Sequence, residues 1–259
     1  MSDITVTFKN QTILTMDASG SEDFLTQGKY CEDDISITYV KPSGGGQQEA
    51  ADLISGTLSG VYANPLVTEV KQQGLRGLPN VTEFNLPNCI LIQDSGFRYN
   101  DSVRRIYVPK ATGTASNYLF ANCRSLEVIA LPSFASASGL TFQSDTSLAA
   151  VDYGPNFSRL YNQAFVGCTA LATLVLRRVT ALVELANINV FNNTPFASGG
   201  SGGTAYIPKA LYDHLGDGTA LDYKAATNWA TIEGYGTITW AQIEGSIYET
   251  QYADGTQIS

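Results

Sequence analysis

Few side chains in this sequence have the types and spacing that catalysis requires. The single histidine, His214, directly follows Asp213, and neighbouring residues on a helix point about 100° apart, so this carboxylate cannot orient the imidazole as a general base. The run Glu32-Asp33-Asp34 lacks the spaced oxygen ligands and the glycine of a calcium loop. Solvated surface positions explain both features better. The sequence therefore predicts no catalytic residue, no metal site and no cofactor.

The cysteines indicate a structural role. Cys123 and Cys168 each follow a phenylalanine by three residues and lie two repeats apart in the pattern described below. Repeats spaced by about 4.8 Å would separate the two thiols by about 10 Å, which is beyond the reach of a disulfide. Asn100 and Asp145 occupy the same position in neighbouring units, so we expect a small polar group there to satisfy turn backbone. Buried, unpaired thiols are predicted.

A repeat in the sequence predicts the strands and turns on which any functional site would lie. An apolar-x-x-apolar-x-apolar frame steps by 23, 22, 23, 22 and 23 residues, and a later apolar position in each unit steps by 22, 23, 22 and 23. A period of this length is typical of a leucine-rich solenoid, in which each unit adds one short parallel strand and a return segment. The frame opens at Leu58, Val81, Val103, Leu126, Leu148 and Leu171, and the later positions are Leu75, Phe97, Phe120, Phe142 and Phe165.

The predicted strands also define a candidate binding surface. Side chains alternate between the two faces of a strand, so alternate positions should point outward in a parallel array that is small and apolar in the middle and charged at the edges. Such an array suits docking of a protein or a glycan, although an ordinary solenoid flank explains it equally well. The candidates are Glu83, Asn85, Arg105, Tyr107, Val128, Ala130, Asp152 and Thr173, with Asn192 and Phe196 from an insertion at 187–203.

The chain divides into four predicted regions. Alternating ITVTF and ISITY segments indicate a small β module over 1–41, and KPSGGGQQ has the composition of a flexible linker over 42–48. The solenoid would span 49–203, beginning with a short capping helix and ending in the Gly-rich insertion, which is either a binding loop or a slack connector. Residues 204–259 would form an α+β cap, with helical turns in KALYDHL and DYKAATNWATI and a strand or hairpin after them.

Composition excludes several classes of partner. The formal charge of −9 argues against nucleic acid, because no excess of Lys and Arg exists to release counterions from a phosphate backbone. No apolar run approaches the length of a membrane span, so we expect no membrane insertion, and the first residues do not resemble a secretory signal.

Units such as FANCRSLEVIALPSF and FVGCTALATLVL resemble the BspA-type, or Treponema-type, leucine-rich repeats. GKYCEDDISITYV and IPKALYDHL resemble segments that flank such repeats in tail or baseplate proteins of phages and prophages of gut Firmicutes. The resemblance implies a noncatalytic protein of the virion exterior, assembled in the host cytoplasm. Residues 1–41 would bind other virion proteins, and the solenoid or the C-terminal region would bind a host surface protein or glycan. A bacterial cell-surface adhesin is the main alternative, a glycan-degrading enzyme is a remote one, and homo-oligomers are compatible with each.

Overall fold

A computed structural model describes residues 4–7, 13–16, 60–63, 65, 67–113 and 116–258. The predicted linker, the capping helix and the second strand segment of the N-terminal module, ISITY, lie outside the described residues. The domain boundaries drawn from the sequence therefore stay predictions. Within the N-terminal region, strand β1 (Ile4–Thr7) pairs antiparallel with β2 (Ile13–Met16).

The repeat forms one long parallel sheet, as the periodicity predicts. In the described part of the chain this sheet has eight strands, and neighbouring strands belong to successive units. Phe84 pairs with Ile106, and Val151 pairs with both Ile129 and Leu174, so the inward frame positions stack directly on one another. The strands are β3 (Gly60–Ala63), β5 (Val81–Asn85), β7 (Arg105–Tyr107), β8 (Val128–Leu131), β10 (Ala150–Tyr153), β12 (Thr173–Leu176), β14 (Gly203–Ile207) and β15 (Ile238–Gln242).

The first unit departs from the predicted register by one residue. An irregularity between Gly60 and Val61 pairs Tyr62, and not Val61, with Phe84. Tyr62 is buried, whereas Val61 is 55% exposed. Because strand side chains alternate, one extra residue exchanges the inward and outward faces. The frame that opens at Leu58 gives Val61 the position that Phe84 and Ile106 fill in the next units, and this inward position is therefore wrong for Val61.

Shorter strands line the second side of the units in the described ranges, except the unit that begins with β7. They form two small parallel sheets, one of β4 (Glu69–Val70) and β6 (Leu91–Ile92), and one of β9 (Ser136–Ala137), β11 (Arg159–Leu160) and β13 (Glu184–Leu185). A turn stretch then leads back to the next long strand and forms the third side. These turn stretches also stack, since Phe97 donates its backbone N–H to Leu119 and Phe142 donates its N–H to Ala164.

A column of phenylalanine rings fills the interior, as predicted for the later apolar position of each unit. Successive ring centroids from Phe97 to Phe120, Phe142 and Phe165 lie 5.2 to 5.7 Å apart, and their planes differ by at most 17°. Each ring buries a large apolar area against its neighbours in adjacent units. The core is thus continuous along the solenoid, and no unit closes it alone.

The insertion at 187–203 completes this core and is not a slack connector. It contains a 3-10 turn over Ile188–Phe191, and the Phe191 ring stacks on Phe165 at 5.7 Å. Phe196 contacts Phe191 and is fully buried. The expectation that Phe196 contributes to a binding surface is therefore wrong, because its ring packs in the core. Asn192 stays partly exposed, and its side chain contacts Asn189.

The C-terminal region extends the same sheet. Strands β14 and β15 pair in parallel, so the sheet crosses the predicted boundary at 203/204. Helices α1 (Lys209–Tyr212) and α2 (Trp229–Gly234) are shorter than the helical segments predicted there. Trp229 lies against Phe191 and Tyr223, and its indole N–H donates to the Val183 carbonyl. The aromatic column therefore ends on a buried tryptophan.

Candidate binding surface on the outer sheet face

Two rows of side chains project outward across the long strands. Row one consists of Glu83, Arg105, Val128, Ala150, Thr173 and Thr204, and row two of Asn85, Tyr107, Ala130, Asp152, Val175 and Tyr206. The pairing register places the members of each row side by side, as the sequence predicted. Eight of the ten candidate residues thus lie on one face. Asn192 and Phe196 lie outside it, in the insertion.

The C-terminal tail, residues 246–258, folds back across row two. Tyr248 lies against Tyr206 with ring centroids 4.7 Å apart, and the Ala253 N–H donates to Asp152 Oδ2 at 3.1 Å. Asp254 and Thr256 then reach the side of Tyr107. The tail therefore runs from β14 past β10 to β7 and β5. This direction is opposite to the order of those strands along the sequence. The repeat pattern does not predict this cover.

A buried ion pair anchors the tail. Arg177 donates from Nε and Nη2 to the two carboxylate oxygens of Asp152, each at 2.8 Å. Its remaining donors reach the backbone carbonyls of Tyr248 and Gln251, both at 2.7 Å, and its guanidinium lies 4.4 Å from the Tyr252 ring centroid. Asp152 is fully buried and Arg177 is 8% exposed. Because charge-assisted bonds hold both sides, one arginine ties the sheet to the tail.

The protonation state of this pair follows from two opposing effects. Burial raises the pKa of the Asp152 carboxyl to about 6, while hydrogen bonds and the charge of Arg177 act to lower it. The carboxyl is therefore ionised at neutral pH, and both members of the pair carry their charge. Removing either member would leave the other charge buried without its partner, which costs about 3–5 kcal/mol in comparable pairs.

The tail removes part of the predicted surface. Ala130 is 3% exposed and Asp152 and Val175 are fully buried, although all three point outward from the sheet. The expectation that Ala130 and Asp152 are available to a partner is therefore wrong, because the chain's own C-terminus covers them. In row one, Val128 and Thr173 keep partial exposure.

Four of the candidate residues that remain open meet at one cleft. Glu83, Asn85, Arg105 and Tyr107 line a space of about 230 Å³ together with Asp254 and Thr256 of the tail. Arg105 is exposed, and the other three sheet residues are partly exposed. The cleft offers a carboxylate, an amide, a guanidinium and an aromatic ring on adjacent strands. Such a set can hydrogen-bond and stack on a sugar or on a polar peptide segment.

The tail side of the cleft is held in place by its own hydrogen bonds. Gln251 bridges to Gln257 in an antiparallel turn, and the Tyr252 N–H donates to the Thr256 carbonyl at 2.8 Å. Asp254 Oδ1 accepts from both the backbone N–H and the hydroxyl of Thr256. The wall that faces Tyr107 is thus preformed. A preformed wall lowers the entropy lost when a ligand binds.

The family follows from the repeats that build this face. The BspA type Leucine rich repeat region matches residues 60–195 in six copies. The chain belongs to this family. The resemblance of the repeat units to BspA-type repeats is confirmed, and so is the fold, a mainly β solenoid of leucine-rich type with few helices.

Solved structures with a similar course of the chain are also leucine-rich. They include a leucine rich cell surface protein from Faecalibacterium prausnitzii (17% identity, TM-score 0.41), a leucine-rich repeat protein from Bacteroides ovatus (12%, 0.37) and the leucine-rich repeat protein of T. pallidum (16%, 0.34). The similar regions cover 44%, 56% and 59% of this chain and 31%, 48% and 59% of those proteins, respectively. The chain thus spans less than two thirds of each. Among curated proteins, none matches it.

BspA-type repeats are generally non-catalytic. The single histidine of this chain, His214, has an acidic partner. His214 Nδ1 lies 2.6 Å from Asp217 Oδ2, so its carboxylate partner is three residues on and not the adjacent Asp213. This hydrogen bond lowers the pKa of Asp217. No serine, threonine or cysteine side chain in the described ranges is recorded in a hydrogen bond to the His214 ring. The pair thus lacks the bonded nucleophile of a catalytic triad.

Two further properties concern metals and membranes. Over the described residues, no three His, Cys, Asp or Glu side chains are grouped so that they could hold a metal ion. None of the helices in that part of the chain has the length and apolar character needed to cross a bilayer.

Proposed function

We propose that this BspA-type protein is a noncatalytic binding protein that acts as an adhesin on a bacterial cell surface. Proteins of the family are typically found at the cell surface, which supports this location. The observation that carries the binding role is the cleft between the outer sheet face and the tail, where Glu83, Asn85, Arg105 and Tyr107 converge.

The ligand that suits the cleft is a surface glycan or a polar segment of a surface protein. Tyr107 supplies a ring for stacking, and Arg105, Asn85 and Glu83 supply donors and acceptors on either side of it. These side chains stand on adjacent strands of a packed solenoid, so their spacing is fixed by the repeat. A rigid array of this kind loses little entropy when it is occupied.

A virion component remains the second candidate on the resemblance of the flanking segments alone. In that case, residues 1–41 would attach the protein to other virion proteins, while the solenoid would bind the host. The outer face would keep the same binding role in either setting. A gene located beside phage tail genes would favour the virion component. A cell-wall anchor in the full gene product would favour the adhesin.

The binding role is tested by replacing the exposed ring. Full-length Tyr107→Ala protein, labelled with a fluorophore, should bind intact cells and immobilised glycans at least about tenfold more weakly than the unchanged chain, because interface aromatics often contribute more than 1.4 kcal/mol. Tyr161→Ala is the matched control, since Tyr161 is 41% exposed and lies outside both rows. Equal binding by the two variants would exclude the cleft as the binding site.

A further inference from the structure

A second charged surface lies on the turn side of the solenoid, away from the outer rows. Arg76, Tyr99, Arg98 and Tyr118 form a stack that we call the arginine–tyrosine ladder. The Arg98 guanidinium carbon lies 4.6 Å from the centroid of Tyr99 and 4.3 Å from that of Tyr118, and the Arg76 guanidinium lies 4.8 Å from Tyr99. Arginine between aromatic rings is held in one orientation, so its donors are pre-organised.

The guanidinium of Arg98 has no acceptor among the described residues. It takes part in no ion pair there, and its Nε is buried without a hydrogen-bond partner. Arg76 bonds only to the amide oxygen of Gln73 and likewise lacks a carboxylate. Four other arginines of the solenoid, Arg104, Arg124, Arg159 and Arg177, pair with acidic side chains. Arg105 and Arg178 have no such pair among the described residues, but neither lies against a tyrosine ring there as Arg76 and Arg98 do. Two cations are thus left without counter-charges side by side in a chain of net charge −9.

The two rings stand at turn positions whose backbone is left-handed in the other units as well. Tyr99 has φ +65° and Tyr118 has φ +57°, in the left-handed region. Equivalent positions in other units hold residues without a large ring, such as Gly77 and Gly167 for Tyr99. A left-handed residue other than glycine costs about 1 kcal/mol, so tyrosine is the more costly choice there. The same conformation holds Gln73, Leu140 and Asn122 in other units, so the ladder is distinguished by its rings and not by its backbone.

The chemistry that fits two oriented guanidinium groups is a set of oxyanions. Planar guanidinium donors match carboxylate or sulfate oxygens in pairs. The neighbouring turn positions carry the amide side chains of Gln72, Gln73 and Asn117, which can donate to and accept from sugar hydroxyls. One carboxylate, that of Asp94, lies among them and accepts from the Asn117 N–H. We propose that the arginine–tyrosine ladder binds the oxyanions of an acidic polysaccharide. This site is independent of the cleft beside Tyr107.

The test measures binding of the full-length chain to polygalacturonate, which bears carboxylates, and to dextran sulfate. Neutral dextran and poly-glutamate are the comparison polymers. Arg98→Gln should weaken binding to the recognised polysaccharide about tenfold or more, because it removes charge-assisted hydrogen bonds. Arg98→Lys should give an intermediate loss, since it keeps the charge but not the planar donors. Added salt should weaken binding by the unchanged chain.

Arg124→Gln is the matched control, because it removes the same charge from an exposed arginine that is already paired with Asp101. Binding that falls equally in Arg98→Gln and Arg124→Gln would show general charge attraction and overturn the proposal. So would binding to poly-glutamate alone, or no binding to either polysaccharide. The Tyr107→Ala variant should retain polysaccharide binding. The melting temperature of each variant is measured first, so that loss of the fold is not read as loss of the site.

Discussion

At one position of the repeat, a small polar side chain accepts a hydrogen bond from the backbone of the preceding unit. Asn100 Oδ1 accepts from the Leu78 N–H of the preceding unit at 2.7 Å, and Asp145 Oδ1 accepts from the Cys123 N–H at the same distance. The thiols of Cys123 and Cys168 instead donate to the carbonyls of Phe97 and Phe142. Each residue therefore satisfies turn backbone, as its alternation in the sequence indicated. The three cysteines in the described ranges are unpaired and buried, and burial raises their pKa values.

Asp145 fits this position less well than Asn100. Its Oδ2 is buried without a partner, and burial raises the pKa of its carboxyl well above the usual value. A carboxyl whose pKa is higher in the folded state stabilises the fold below its unfolded pKa of about 4 and loses that contribution as the pH rises towards the folded pKa. Asn100, by contrast, uses its amide nitrogen to reach the Leu75 and Phe97 carbonyls.

We therefore expect Asp145→Asn to stabilise the protein by about 1–3 kcal/mol at neutral pH, because the amide replaces an oxygen that lacks a partner by a nitrogen that can donate to turn carbonyls, as in Asn100. The gain should shrink as the pH falls towards 4, because the carboxyl of the unchanged chain is then protonated in the folded state and about half protonated in the unfolded state. Denaturant unfolding at pH 4, 6 and 8 measures it. A gain that is absent at pH 8, or that grows on acidification, would contradict this explanation.

At the scale of elements, the tail is the feature that sequence reasoning missed. The repeat could be predicted because stacking demands the same residue types at the same level of each unit. The tail has no period, and its anchor joins residues such as Asp152 and Ala253 that are distant in the chain. One signal was present in the sequence. Arg177 stands where Pro87, Pro109 and Pro132 follow other strands, and the structure gives that exchange a reason, since Arg177 binds the tail.

Gly154 replaces proline at the same level for a different reason. A Cβ at Gly154 would lie 1.8 Å from the Pro132 carbonyl oxygen, so no side chain fits there. Both departures from the repeat are thus explained by contacts between units or with the tail. Neither could be interpreted from the sequence alone, because the neighbour that decides it comes from another part of the chain.

Because the tail covers Ala130, the loss of stability caused by Ala130→Asp should depend on whether the tail is present. In the full-length chain it places a second carboxylate beside the buried Asp152, and we expect it to cost at least about 2 kcal/mol. In a chain that ends at Ser246, the same substitution should cost much less, because the tail no longer buries position 130. The measurement is the free energy of unfolding of both chains with and without the substitution.

Ala172→Asp is the control, because Ala172 is exposed just before β12 and should tolerate the change in both chains. If Ala130→Asp cost the same with and without the tail, another part of the molecule would have to bury Ala130. The core substitution Ile129→Asp should be severe in either chain, since Ile129 is fully buried between stacked strands.

At the scale of the whole molecule, the solenoid positions a few side chains and its C-terminus decides which of them stay open. The fold could be predicted from the period, the family from the motif of the repeat units, and the outward rows from strand alternation. Which residues of those rows stay exposed could not be predicted, because their exposure depends on where the tail lies on the sheet. The remaining surface has Tyr107 and Arg105 at its centre, bounded by Asp254 and Thr256.

The most direct test of the binding role is site-specific photo-cross-linking. A benzophenone amino acid is placed at position 107 in the full-length chain, or at position 161 as the control, and each protein is irradiated on intact cells. We expect covalent adducts with a surface component from position 107 and few from position 161. Adducts that form equally from both positions, or only from position 161, would contradict the assignment of binding to the cleft between the outer sheet and the tail.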